Sequence, residues 1–306
     1  MRVAPVLRSM LGTSLHDLVS DGRAHCIVTG LKWGEGPAFL SLRGVWVFSD
    51  IPNNRMLSWS RNEGLTTFRS PSNFANGNTV GIGGALITCE HGTRSVSRTD
   101  VDGTYRILCS HFEGKRLNSP NDVVQHRDGS IWFSDPTYGI LSDVEGYRAP
   151  SEQAANRVYR LDPSNGALTA EVSSLKMPNG LCFSPDGSTL YVADSGADMG
   201  PEVPFNEQGP REVYSFQMSH GRVSSAGKVF ALASKGVPDG IRCDEDGYLW
   251  VATGLGLECF FPNGSRAGAI PTPETLANLA FGNESVLLAL ATSAYVIELS
   301  RLTSIQ

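Results

Sequence analysis

Four short segments carry the side chains with the clearest capacity for chemistry: Gly34-Glu35-Gly36-Pro37, Pro120-Asn121-Asp122, Pro178-Asn179-Gly180 and Pro238-Asp239-Gly240. Asn76-Gly77-Asn78-Thr79 and Ala277-Asn278-Leu279 extend the series. With Glu35, Asn78, Asn121, Asn179, Asp239 and Asn278 as marks, the steps are 43, 43, 58, 60 and 39 residues. A lone Pro-Asn-Gly or Pro-Asp-Gly is a turn signature. Turn chemistry does not require such residues at one phase of a long repeat, whereas six equivalent positions around one axis do. Glu35, Asn121, Asn179 and Asp239 together offer two carboxylates and two amide oxygens. That donor set suits one hard divalent cation, calcium first, with magnesium or manganese as alternatives and zinc less favoured.

The elements that must position these marks are short strands. Apolar runs recur at Val45–Phe48, Leu86–Cys89, Ile131–Phe133, Leu190–Val192, Leu249–Val251 and Val286–Leu288. Trp46, Ile87, Trp132, Tyr191, Trp250 and Leu287 within them are spaced by 41, 45, 59, 59 and 37 residues. Two charged, turn-rich insertions, Gly139–Asn156 and Gly196–Arg211, account for the long steps. The remaining period is that of a four-stranded blade. Asp-Gly turns precede three of the runs, a strong hairpin signal. A third run follows each one, from Arg55–Ser60 through to Tyr295–Ser300, and a weaker fourth follows most.

The pattern predicts an all-β, six-bladed β-propeller with four-stranded blades. Its last blade runs out of sequence at the third strand, so Ala24–Leu31 is expected to supply the fourth and close the ring. Residues 1–23 then form an N-terminal extension with a short helix near Leu11–Val19, and 24–306 form the propeller domain. Antiparallel pairing brings the ends of the second strands to the same mouth, which predicts a second polar ring of Asp50, Glu90, His91, Asp135, Asp194 and Thr253.

Composition excludes several other functions. A net charge of −6 over 306 residues, without a dense Lys/Arg run, argues against nucleic acid. No stretch approaches the ~20 apolar residues of a membrane span, and the N-terminus lacks the apolar core of a signal peptide. Six cysteines without a C-x-x-C pair read as thiols, with Cys89, Cys182 and Cys243 expected in the core. A cytoplasmic, reducing location follows. Neither G-x-S-x-G nor H-E-x-x-H is present, and Gly81-Ile82-Gly83-Gly84 reads as a hairpin turn.

Five longer motifs, WGEGPAF, CEHGTRSVSR, FEGKRLNSPNDVVQHRDGSIWFSDPTYG, MPNGLCFSPDGSTLYVADS and VPDGIRCDEDGYLWVA, resemble the SMP-30/gluconolactonase/luciferin-regenerating family, its microbial gluconolactonase branch above all. The resemblance runs from about Lys32 to Glu298. It implies a six-bladed propeller with one divalent cation, held by Glu35, Asn179 and Asp239, with Asp239 also the catalytic acid/base. Asn121 falls on a family Asn that contacts substrate or metal. The vertebrate branch carries an Arg two residues earlier, where this chain has Ser119, so Arg116 and Asn118 are candidates to replace it. Glu90, His91, Tyr138 and Asp194 are candidate substrate walls, and the two insertions are expected to overhang them. The implied reaction is hydrolysis of a small sugar lactone by a monomer or weak homo-oligomer. Hydrolysis of an aryl or phosphorus ester, or calcium binding without catalysis, are the alternatives.

Overall fold

A computed structural model describes residues 3–200 and 202–299. The fold is the expected six-bladed propeller. Blade 1 comprises Gly34–Leu40, Val45–Asp50, Arg55–Ser60 and Gly64–Arg69; blade 2 comprises Ala75–Val80, Leu86–Glu90, Ser95–Thr99 and Tyr105–Cys109. In blade 3 the strands are Val123–Gln125, Ile131–Asp135, Arg157–Leu161 and Leu168–Val172. Blade 4 is built from Pro178–Phe183, Thr189–Asp194, Glu212–Ser219 and Lys228–Leu232, and blade 5 from Ile241–Cys243, Leu249–Thr253, Gly256–Phe260 and Arg266–Pro271.

Blade 6 takes Leu276–Phe281, Ser285–Leu290 and Ser293–Glu298 from one end of the chain and Ala24–Thr29 from the other. Ala24 pairs with Ile297 and Thr29 with Ser293, both antiparallel. The strand expected at Tyr295–Ser300 thus sits slightly earlier, and Ser300 with 301–306 lies outside the described residues.

The six spacing marks are all buried, and they explain why the blades stack. Each belongs to the second strand of its blade and faces a neighbouring blade. Ile87 packs with Val123 and Phe133, Trp132 with Leu181 and Val192, and Tyr191 with Ile241 and Val251. Trp250 meets Leu279 and Leu288, while Trp46 and Leu287 share the seam between blades 1 and 6. The apolar core is therefore divided into wedges between sheets, not gathered at the axis. That leaves the axis free for polar groups.

The single helix expected near Leu11–Val19 is two short ones, Val3–Arg8 and Leu15–Ser20. Gly12, at φ +90°, interrupts them, and the Ser14 hydroxyl caps the second by accepting from Asp17 N. Leu7, Met10, Leu15 and Leu18 pack onto the wedge between blades 5 and 6. All six cysteines are free; Cys89 and Cys182 are buried as expected, whereas Cys243 is half-buried. No described helix is long and apolar enough to cross a membrane.

Candidate active site

The inner strands break their ladders where they reach the axis. Gly34, Ala75, Pro178 and Leu276 pair with the last residues of their second strands, Asp50, Glu90, Asp194 and Leu290. The register then shifts within Glu35–Ala38, Ala75–Asn78, Pro178–Leu181 and Leu276–Asn278. Such bulges free a residue from pairing and re-aim its side chain. In blades 3 and 5, Asn121 and Asp239 precede inner strands that begin at Val123 and Ile241.

This register corrects two of the marks. The residues equivalent to Glu35 and Asn179 are Asn76 and Ala277, not Asn78 and Asn278. The bulge displaces simple residue counting, although Asn76-Gly77 already matched Asn179-Gly180 in type. Asn78 instead donates to Gly36 O and Ser49 Oγ, at 2.8 and 3.0 Å, and Asn278 donates to Glu35 Oε2 at 2.9 Å.

The glycines after the marks let neighbouring blades touch. A Cβ on Gly36, at φ +50°, would lie 2.1 Å from Asn76 O, and one on Gly180 would lie 2.2 Å from Asp239 O. Both obstacles are backbone, so no side chain can yield. The recurring glycine serves close approach around a narrow axis more than turning.

Glu35, Asn76, Asn121, Asn179 and Asp239 line one cavity of about 520 Å³, roofed by Tyr138, Glu145 and Asp198. Blades 1 to 5 thus each contribute one ring side chain. Glu35 is held by Gly36 N at 2.7 Å and by Asn278. Burial raises its pKa to about 7, with the nearby Asp122 charge adding to the rise. Asp239 is pushed well above the usual carboxylate range, by burial first and then by Glu35, Asp122, Asp198 and Glu145. The Asp122 carboxylate itself is taken up by Arg242 of blade 5, at 3.1 Å.

Among the described residues there is no cluster of three or more His, Cys, Asp or Glu side chains suited to a metal. The ring is of another kind, mixing carboxylates with amides. The side chains of Asn121, Asn179 and Asp239 receive no hydrogen bond from any described residue. Partnerless oxygens, and two buried carboxylates of raised proton affinity, fit a hard divalent cation, which would satisfy the first and offset the second.

The other candidates are placed differently. Tyr138 lines the cavity and donates to Asp198 O at 2.8 Å. His91 lies buried behind the ring, not on it. Its Nδ1 donates to Glu145 O at 2.9 Å, so its Nε2 accepts from Asn76 Nδ2 at 3.1 Å. Burial lowers its pKa to about 4.

Glu90, Asp194, Asn118 and Arg116 do not reach the cavity. Glu90 is fully buried and accepts from Arg69, Asn73, Thr93, Ser97 and Tyr105. Asp194 accepts from the backbone N–H groups of Lys176, Met177 and Gly196. Asn118 is spent on Asp135 O, Asn156 and Ser151, and Arg116 on Thr93 O. Ser119 donates to Pro136 O at 2.7 Å.

Glu90 takes only side-chain donors, whereas the three aspartates that end second strands share one physical reason. Asp50 accepts from Lys32 N, and Asp135 from Asn118 N, just as Asp194 does from Lys176 N. The acidic residue ending each of these second strands turns back to satisfy the loop that delivers the ring residue. The second ring is therefore a bracket for the first. Sequence reasoning missed Asn76, Glu145 and Asp198, the last two because insertions have no repeat phase.

A closed six-bladed propeller with an oxygen-lined axial cavity, open at one mouth and roofed by two insertions, defines the class of protein. The profile of the SMP-30/Gluconolactonase/LRE-like region matches residues 33–295, and the chain belongs to that family. It is 30% identical to a gluconolactonase of Zymomonas mobilis, over 89% of this chain and 79% of that one. A solved gluconolactonase structure from Xanthomonas campestris is 34% identical and superposes with a TM-score of 0.83, covering 90% of this chain and 89% of the other. The calcium-binding regucalcin of Agrobacterium tumefaciens, at 19% identity, shares the fold with a TM-score of 0.70 over 89% and 92% of the two chains.

Proposed function

We propose that the axial cavity hydrolyses a sugar lactone with the help of one divalent cation. That the chain is a hydrolase of the lactonase class follows from its family and from the relatives named gluconolactonase. The observation that carries the finer reading is the convergence of Glu35, Asn121, Asn179 and Asp239, from four blades, on one cavity. Glu35, Asn179 and Asp239 would hold the cation, with Asn121 beside them. When bound, the cation supplies Lewis-acid stabilisation of charge developing on the ester carbonyl oxygen.

The protein's own groups do the rest. Asp239 accepts the proton of the attacking water, a role its place on the cavity wall beside Asn121 and Asn179 allows. Asn121 and Asn179 orient carbonyl and water through amides that no described residue engages. Glu35 is locked by Gly36 N and Asn278, so its position is set before any ligand arrives. Tyr138, the Glu145 segment and Asp198 close the cavity over the substrate and limit water. We further propose that 24–306 carries this activity and that 1–23 is an extension to it.

The test follows acid release from glucono-1,5-lactone in weak buffer, before and after chelation with verified metal loss. Activity should vanish and return on adding calcium or another divalent ion. Full activity in metal-free protein would refute the proposal.

A further inference from the structure

The cavity holds two carboxyl groups that the hydrolytic step does not use. Glu145 belongs to the first insertion and Asp198 to the second, and both face the space above the ring. Their backbones are fixed independently of their side chains. Glu145 O accepts from His91 Nδ1 at 2.9 Å, and Tyr147 meets Phe74 edge-on at 5.3 Å. Gly146 lies against Gly139, where a Cβ would come within 2.1 Å of the carbonyl oxygen. On the other side, Tyr138 donates to Asp198 O at 2.8 Å, and Arg148 bridges the insertions by binding Glu202 at 2.7 and 2.9 Å.

The roof is thus pinned through carbonyls, rings and the Arg148–Glu202 ion pair, while the Glu145 carboxylate is left without a donor and that of Asp198 with one. No described residue donates a hydrogen bond to the Glu145 carboxylate; Asp198 receives only Gly200 N, at 3.0 Å. Burial, then the Asp198 charge, raises Glu145 to about 7, as befits a carboxyl group lacking donors. A buried polar group without partners is costly unless a ligand completes it. The residues lining the cavity include four carboxylates, Glu35, Glu145, Asp198 and Asp239, against a single ammonium, that of Lys32. A cation held at the ring would offset Glu35 and Asp239 and leave the roof acidic.

We propose that Glu145 and Asp198 are specificity-determining residues: they bind hydroxyl groups of the substrate remote from the scissile carbonyl, and they restrict it to neutral, polyhydroxylated lactones. Vicinal hydroxyls are the donors that these two carboxylates require. A lactone carrying its own phosphate or carboxylate would instead bring like charges together in a poorly solvated space. This inference rests on the lactonase reading.

The experiment compares kcat/KM for glucono-1,5-lactone, its 6-phosphate and unsubstituted δ-valerolactone, using metal-replete wild type, Glu145→Gln, Glu145→Ala and Asp198→Asn. Wild type should prefer the neutral sugar lactone to each of the others by about tenfold or more. Glu145→Ala should lose about tenfold on the sugar lactone and several-fold less on δ-valerolactone. Glu145→Gln should retain much of the sugar activity and improve the phosphate relative to it by about tenfold. Since the carbonyl of Glu145, not its side chain, binds His91, the fold should survive, as circular dichroism would verify. Equal losses on all three lactones, or comparable wild-type efficiency on the neutral and phosphorylated ones, would overturn the inference alone. Absence of wild-type turnover on every lactone would overturn the lactonase reading, and this inference with it.

Discussion

Replacing Glu90 with Ala should cripple stability while sparing turnover, the opposite of what a substrate-binding wall would do. The carboxylate is fully buried and gathers Ser97 Oγ at 2.6 Å, Thr93 Oγ1 at 2.8 Å, and Arg69, Asn73 and Tyr105 at 3.0 Å. Hydrogen bonds to a charged group contribute about 1.5–3 kcal/mol each, but not additively, because the freed donors partly find other partners. Arg69 is about one-fifth exposed and can rehydrate, whereas Ser97 cannot. The comparable cost of removing one partner of a buried charge pair is about 3–5 kcal/mol. For a chain of this size that lowers the thermal midpoint by roughly 5–8 °C. Urea unfolding with the slope held constant gives the free energy, and lactone hydrolysis at 20 °C, well below the midpoint, gives kcat and KM. Turnover should stay within about twofold of wild type. A loss below about 1 kcal/mol, or a raised KM with stability intact, would refute the structural role assigned to Glu90.

Other expectations concern the axis. Asp239→Asn should lower kcat by about 10²–10⁴ in the same assay while leaving the circular dichroism spectrum unchanged. Gly180→Ala places a Cβ 2.2 Å from Asp239 O. The seam of blades 4 and 5 must open, costing about 1–3 kcal/mol in urea unfolding and about a hundredfold in kcat/KM.

His91 titrates near 4 when folded, against 6.5 for the free side chain. Below pH 6.5 the unfolded chain takes up a proton that the folded one refuses, so stability falls as pH drops from about 6.5 to 4, by about 3 kcal/mol in all. Glu35, Asp135 and Glu145, all raised to about 7, act in the opposite sense, losing stability as pH rises from the usual carboxylate range. The difference between wild type and His91→Gln isolates the histidine; identical pH profiles for the two would contradict its neutral, buried state.

The architecture was legible because it repeats. Trp46, Trp132 and Trp250 recur at one phase since each fills the same kind of wedge between blades, and Asp-Gly turns mark the hairpins beside the last two. Ala24–Thr29 could be assigned to the last blade because a strand without a unit and a unit without a strand imply each other. The ring residues Glu35, Asn121, Asn179 and Asp239 were readable for the same reason, and they share one cavity. What failed was direction. Sequence position puts Glu90 and Asp194 at the right end of the blade, but it does not say whether a carboxylate turns toward the axis or away from it, as Asp194 does toward backbone N–H groups and Glu90 toward side-chain donors. Bulges hid Asn76 behind Asn78. Glu145 and Asp198 sit in irregular insertions, where neither period nor propensity predicts which side chain points inward.

The sixth blade acts as a clasp, because three of its strands come late in the chain while the fourth, Ala24–Thr29, comes early. Glu35 lies only a few residues beyond that early strand, at the seam where blade 1 meets the clasp, and Asn278 reaches across the seam to hold it. Fraying of Ala24–Thr29 would therefore do more than loosen an edge. It would let one wall of the cavity swing away with its carboxylate, so that ligand affinity becomes a gauge of whether the two distant ends of the chain remain fastened.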